Sequence, residues 1–245
     1  MAQNGYDMTG VLHIKTVTPV IRAIFCDFDL DEKDPGGGQA YVSQISESNN
    51  ADWDNILEAL QELAIELELP ETTDELDCCG SAFMAIARYL GVPQDDKFRL
   101  MMGQCTSDYC EPDLESLVSI AMVLDDGHGL SGYTTETAWY CSKPRLFEFG
   151  GQGAYCDKHV SFFTSSNEAG KLGKDINDAL ASADVASAAR AVEDKVLKLV
   201  GSITSETERA AVLSQLIASL VEKQTHGHLD TVSSEQIEQV EHPVG

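Results

Sequence analysis

Between Tyr133 and Phe163 the apolar residues of this 245-residue chain change their spacing. Residues 135–142, 145–149 and 154–163 are rich in β-branched and aromatic side chains and are separated by proline or glycine, the pattern of an antiparallel meander. On either side of this stretch apolar residues recur every three or four positions, the period of amphipathic helices. Strands grouped between runs of helices predict an α+β fold, not a parallel doubly wound sheet. The expectation is therefore a set of antiparallel sheet segments, an acidic amphipathic helix and a C-terminal helical bundle or layer.

Residues 11–20 and 21–28 read as strands from their β-branched and aromatic content, and residues 39–45 as another. Asp34-Pro35-Gly36-Gly37-Gly38 between them reads as a turn or flexible loop. Helices are expected over residues 51–69, with Asn50 as cap and Pro70 as stop, over 74–90, and over 112–124 with Pro112 in the first turn. Three more follow: 166–181, 184–200 ended by Gly201, and 205–223, where Ser205 and Glu208 form a capping box. Chain organisation reads as an acidic α+β domain over 1–163, a three-helix region over 164–224 and a polar tail over 225–245. The apolar stripes Leu172/Ile176/Leu180, Val185/Val192/Val196/Leu199 and Val212/Leu216/Ile217/Leu220 are expected to be core. Homo-oligomerisation or partner docking through these helices is the alternative.

Charge narrows the function classes. Forty-one acidic residues against sixteen basic ones leave a formal net charge of -25 and a pI near 4.3. Such a balance disfavours direct contact with nucleic acid or anionic lipid. Residues 1–77 hold 17 acids and 3 bases, so the amino-terminal third is the acidic pole. No apolar run is long enough to span a membrane, and residues 1–10 have neither the basic nor the apolar part of a secretory signal. Seven cysteines without an export signal read as thiols in a reducing cytoplasm. No cofactor is expected.

The helix expected over 51–69 is the sharpest single feature. At 100° per residue Trp53, Ile56, Leu57, Leu60, Leu63, Ala64 and Leu67 share one face, and Asp54, Glu58, Glu62 and Glu66 the other. The carboxylates follow one another at intervals of four residues, about 5–6 Å apart at Cβ, and repel by about 0.2–0.5 kcal/mol per pair. No lysine or arginine lies between Lys33 and Arg88 to relieve them. That spacing is the general scale on which nucleic-acid phosphates present charge, and Ile65 among the carboxylates offers an apolar anchor. Asp27, Asp29 and Asp31 belong to a second acidic run in the same third. The candidate partner-binding residues are therefore Asp27, Asp29, Asp31, Asp54, Glu58, Glu62, Ile65 and Glu66.

Ala23-Ile24-Phe25-Cys26-Asp27-Phe28-Asp29 resembles the first motif of the haloacid dehalogenase phosphatases. The resemblance implies a nucleophilic Asp27, a general acid at Asp29 and Mg²⁺ held with help from Asp125-Asp126. Leu30 and Asp31 stand where that family usually has glycine and threonine. Cys105, Cys110, Cys156 and His159 are a loosely spaced zinc set, the basis of a zinc-stabilised structural alternative. In size, acidity and lack of an active-site motif the chain resembles the acidic anti-defence proteins of mobile genetic elements, antirestriction DNA mimics and anti-CRISPR proteins. That resemblance implies a cytoplasmic, non-enzymatic inhibitor of a basic nucleic-acid-binding protein or ribonucleoprotein subunit.

Overall fold

The computed structural model describes residues 4–46, 48–70, 78–93, 95–105, 111–143 and 148–225. The chain opens with strand β1 (Asn4–His13) and helix α1 (Pro19–Ile24), then the pair β2 (Asp31–Pro35) and β3 (Gln39–Ile45). Four helices follow: α2 (Trp53–Glu66), α3 (Cys78–Tyr89), α4 (Asp96–Cys105) and α5 (Leu114–Val123). A meander of β4 (Gly132–Cys141), β5 (Gly150–Asp157) and β6 (Val160–Ser165) leads into α6 (Asn167–Ala181), α7 (Val185–Gly201) and α8 (Glu206–Thr225). The six strands make one antiparallel sheet in the order β2-β3-β1-β4-β5-β6, so the protein is α+β as its periodicities predict.

Register explains which face of the sheet is buried. Leu12 stands opposite Ala40 on β3 and Tyr133 on β4, and Met8 opposite Gln44 and Thr137. Alternation sends Met8, Leu12, Ala40, Val42, Tyr133 and Ala154 to one side. There they join a single core with Ile21 and Ile24 of α1, Ile56 and Leu60 of α2, Phe83 and Ile86 of α3, and Leu117 and Ile120 of α5. The other face carries exposed Thr9, Glu136 and Tyr155, the one-sided wetting common in antiparallel sheets.

The structure corrects several expectations. Residues 21–28 are not a strand: α1 begins at Pro19 behind the Thr18 cap, and Val20, Ile21, Ala23 and Ile24 are buried. A short continuous apolar run fits a buried helix as well as a strand, and the Thr-Pro start decides it. The strand expected over 11–20 instead spans Asn4–His13. Asp31–Pro35 is itself an edge strand with every residue exposed. Charged residues and a terminal proline suit an edge that must not recruit further strands. The loop after it is a true turn, with Gly36, Gly37 and Gly38 all at positive φ.

The segment expected over 154–163 divides into two strands joined by the two-residue turn Lys158-His159, with Asp157 paired to Val160. The run begins earlier than its aromatics suggest because glycines enter the sheet. A Cβ at Gly150 would lie 2.3 Å from the Trp139 ring, and one at Gly132 only 1.9 Å from the Cys156 carbonyl oxygen. Of the strand expected over 145–149, residues 145–147 lie outside the described residues and 148–149 are not strand. Helix α4 has no counterpart among the expected helices; Asp95 accepts the Phe98 N–H at its start. Helix α2 is capped by Asp52, which accepts from Asp54 N–H at 2.9 Å, and not by Asn50.

The C-terminal helices form where expected. Asp184 caps α7 through the Ser187 N–H. The capping box of α8 is only half made, because Ser205 accepts the Glu208 N–H while the Glu208 carboxylate turns to His159. The stripes are not the core they were expected to be. In α6–α8 only Ala179, Ala188 and Val200 are buried, and none joins the central core. Backbone bonds Ser161 N–H to Ser202 O and Thr204 N–H to His159 O tie these helices to the β5–β6 turn. The polar tail expected from 225 onward lies, beyond Thr225, outside the described residues. Among the described residues no helix is long and apolar enough to cross a membrane.

Candidate functional site

Helix α2 presents its two faces as its periodicity requires. Ile56, Leu60 and Leu63 are buried, while Asp54, Glu58, Glu62 and Glu66 are exposed. Ile65, among the carboxylates, is 69% exposed, an unusual position for a branched apolar side chain. Among the described residues no lysine or arginine forms an ion pair with any of these four acids. Their mutual repulsion therefore has no local relief, and the helix is held by its buried face and its cap.

The second acidic run meets this helix at one point. The Asp27 carboxylate accepts the Asp52 backbone N–H at 2.8 Å and the Asn55 side-chain amide at 3.0 Å. A carboxylate there also suits the partial positive charge of the helix start. Asp27 thus fastens the turn after α1 to the beginning of α2, and the two acidic segments are joined. Asp29 accepts from the Ser43 hydroxyl, and Asp31 from the Lys33 backbone N–H on edge strand β2. Glu32 next to them is paired with Arg22.

These contacts bear on the phosphatase resemblance. That motif places its aspartates at the end of a parallel strand, whereas Asp27 and Asp29 follow a helix beside an antiparallel sheet. Both carboxylates are engaged in holding local structure. Asp125 and Asp126, with His128, are the one group among the described residues that brings three potential metal ligands within 4.8 Å. Each is engaged as well. Asp126 accepts from the Thr18 hydroxyl and the Val20 N–H, anchoring the start of α1. Although burial works to raise Asp125, the Gly129 and Gly127 N–H groups outweigh it and hold the carboxyl below its ordinary range. His128 is fully buried, donates from Nε2 to the Ala121 carbonyl and accepts at Nδ1 from the Leu130 N–H. No lone pair of that ring is left for a metal ion.

The zinc set is not assembled by what is described. The Cys105 side chain and all of Cys110 lie outside the described residues. Cys156 Sγ sits 3.4 Å from the Ser161 hydroxyl, and His159 Nδ1 faces Glu208 at 3.2 Å.

Two features had no clear signal in the sequence. The first is a polar chain on the open sheet face: His13 Nδ1 donates to Asp157 at 2.7 Å, and Nε2 accepts from the Thr134 hydroxyl at 2.9 Å. The order acid, histidine, hydroxyl is that of a nucleophilic triad. Thr134 lies on an interior strand, however, where the backbone N–H groups that would hold an oxyanion are engaged in the ladders to β1 and β5. The chain is a cross-strand brace, and Ser131 adds a third contact to Asp157.

The second is a cleft of about 500 Å³ on the core side of the sheet, beyond the edge of the helical layer. Its floor holds Met8, Thr135 and Thr137, and its wall is the start of α5 with Glu111, Asp113 and Glu115. No lysine or arginine lines it among the described residues, and Asn50 on its rim lies two residues before the cap of α2. Burial, with the neighbouring Cys156 thiol, pushes the Tyr133 phenol at this cleft well above its ordinary range. Glu111 and Glu115 were missed because acids at a helix start read as capping. Comparison of the chain with protein-family models, with curated proteins and with solved structures gives no match.

Proposed function

We propose that this protein is an acidic interaction protein that binds, and thereby inhibits, a basic nucleic-acid-binding protein or a subunit of a ribonucleoprotein. The observation that carries the reading is the outer face of α2. There, four carboxylates without ion-pair partners among the described residues surround a 69% exposed isoleucine. A solvated helix face has no use for Ile65, whereas an interface uses a central apolar anchor ringed by charge. The charges would steer a basic partner and set its orientation, and the anchor would slow dissociation. Asp27 joined to the start of α2 and the acidic cleft beyond Asn50 extend the same sign of potential. The most concrete version is an anti-CRISPR that acts on a guide-RNA effector complex, by blocking nucleic acid binding or by displacing subunits.

The test is capture with the tagged full chain from lysate of its host at low and high salt, with proteins and nucleic acids both identified. Salt-sensitive recovery of a nucleic-acid-binding complex, released by added nucleic acid, supports the reading. Recovery only of proteins that bind no nucleic acid, or capture unaffected by competitor, overturns it.

A further inference from the structure

Helices α6, α7 and α8 leave open more apolar surface than one chain covers. Val185, Val192 and Leu199 of α7 and Ile217, Leu220 and Val221 of α8 are each between 40% and 68% exposed. No residue of α8 from 206 to 224 is buried. A 20-residue helix with no buried side chain is marginal in water unless something covers its apolar side. Wheel geometry puts Val212, Leu213, Leu216, Ile217 and Leu220 within an arc of about 140°, so the open surface is one stripe and not a scatter.

Area and charge both point to the occupant. The exposed large apolar residues of these three helices leave on the order of 800 Å² open, which matches one partner's share of a standard-size interface. It also exceeds the few hundred Å² of contiguous apolar patch ordinary on a monomer, roughly 300–600 Å². Residues 1–166 carry 28 acids and 9 bases, whereas residues 167–225 carry nine acids and seven bases. Several of the latter cancel in place, as where Lys195 and Lys198 both meet Glu168 and Lys174 meets Asp178. Two copies would repel strongly at their acidic bodies and hardly at these helices.

We propose that the exposed faces of α7 and α8 form a two-fold interface with a second copy of this chain. Such an interface is self-complementary, so one apolar stripe serves both sides. The dimer turns two acidic bodies outward and gives the α2 face bivalent reach toward a repeated or symmetric partner. The inference does not depend on the proposed function, and salt separates the two. Screening weakens attraction between opposite charges but relieves repulsion between like ones. Partner binding through α2 is therefore lost with salt, whereas self-association tightens.

Sedimentation equilibrium of the full chain tests this. The expected mass approaches twice 26.6 kDa, with tighter association at higher salt. Ile217→Glu with Leu220→Glu should return the mass to that of one chain. Ala211→Glu with Gln215→Glu, the same charge on the far side of α8, should leave the dimer intact, and circular dichroism of each variant reports its fold. A wild-type mass of 26.6 kDa at every concentration overturns the proposal, whether solvent or residues 226–245 cover the helices. Dimers of undiminished affinity in the Ile217/Leu220 variant overturn the assigned face.

Discussion

Replacing Glu62 by lysine should stabilise the protein, and the size of the gain follows from α2 alone. Glu62 lies four residues from Glu58 and four from Glu66, all three exposed and without ion-pair partners among the described residues. Each like-charge pair at this spacing costs about 0.2–0.5 kcal/mol, and an opposite pair contributes a similar amount with the reverse sign. The substitution converts both pairs. The new lysine follows Glu58, which is the favourable order along a helix, and precedes Glu66, which is the poorer one, so the net gain is about 1 kcal/mol. For a chain of this length that is a rise in melting temperature of about 2–4 °C. Urea unfolding followed by far-UV circular dichroism at low ionic strength measures it. The gain should shrink toward zero near 1 M salt, where the screening length is about 3 Å. Glu136→Lys, an exposed position on β4, makes the same change in net charge without touching α2 and serves as the control for general self-repulsion. Loss of stability in Glu62→Lys, or an equal gain in the control, would refute a locally frustrated acidic row.

Other expectations follow from the same contacts. Asp27→Ala removes the acceptor of the Asp52 N–H and should cost about 0.5–2 kcal/mol in urea unfolding, with Asp27→Asn costing less because its amide oxygen still accepts. His128→Ala leaves a cavity and two unpaired backbone groups and should cost about 2–4 kcal/mol, and added Zn²⁺ or Ni²⁺ should not raise the wild-type melting temperature. Hydrogen bonds from Lys195 and Lys198 lower Glu168 from 4.5 to about 2, so the stability this clamp gives α6–α7 is present above pH 4.5 and lost as pH falls through about 2. Glu168→Gln should flatten that part of the acid-unfolding curve. Asp157 is held low despite its burial by the Lys158 N–H, His13 and Ser131, so it too stabilises the fold above the ordinary carboxylate range and ceases to as acid protonates it. Asp157→Asn should move the acid midpoint of the sheet, read by tyrosine and tryptophan absorbance, to lower pH.

What could be read from the residues, and what could not, divides along physical lines. Helix α2 was legible because its period, its buried face and its acidic face agree over four turns, and α7 because Asp184 and Gly201 punctuate it. Residues 21–28 misled because an all-apolar hexamer buried on every side has no period to read. The β5–β6 hairpin was read as one strand because Asp157-Lys158-His159-Val160 carries no glycine or asparagine at the turn. Glycines 150, 151 and 153 looked like a loop, whereas the Trp139 ring beside Gly150 explains a strand that has no room for side chains. At the site, exposure of Ile65 and the acids of α2 was visible in the wheel. The junction of Asp27 with Asn55, the cleft at Thr135 and Thr137, and the brace of His13, Thr134 and Asp157 are contacts across 28 to 144 positions or across strands, which local pattern does not encode.

The central claim is that the outer face of α2 is the recognition surface. The direct measurement is capture by wild type and by the triple Glu58→Lys, Glu62→Lys, Glu66→Lys variant, run side by side at two ionic strengths with folding checked by circular dichroism. The account predicts that wild type retains a nucleic-acid-binding partner at low salt and sheds it at high salt, while the folded triple variant retains none. Undiminished capture by the folded triple variant would contradict it and remove α2 from the interface.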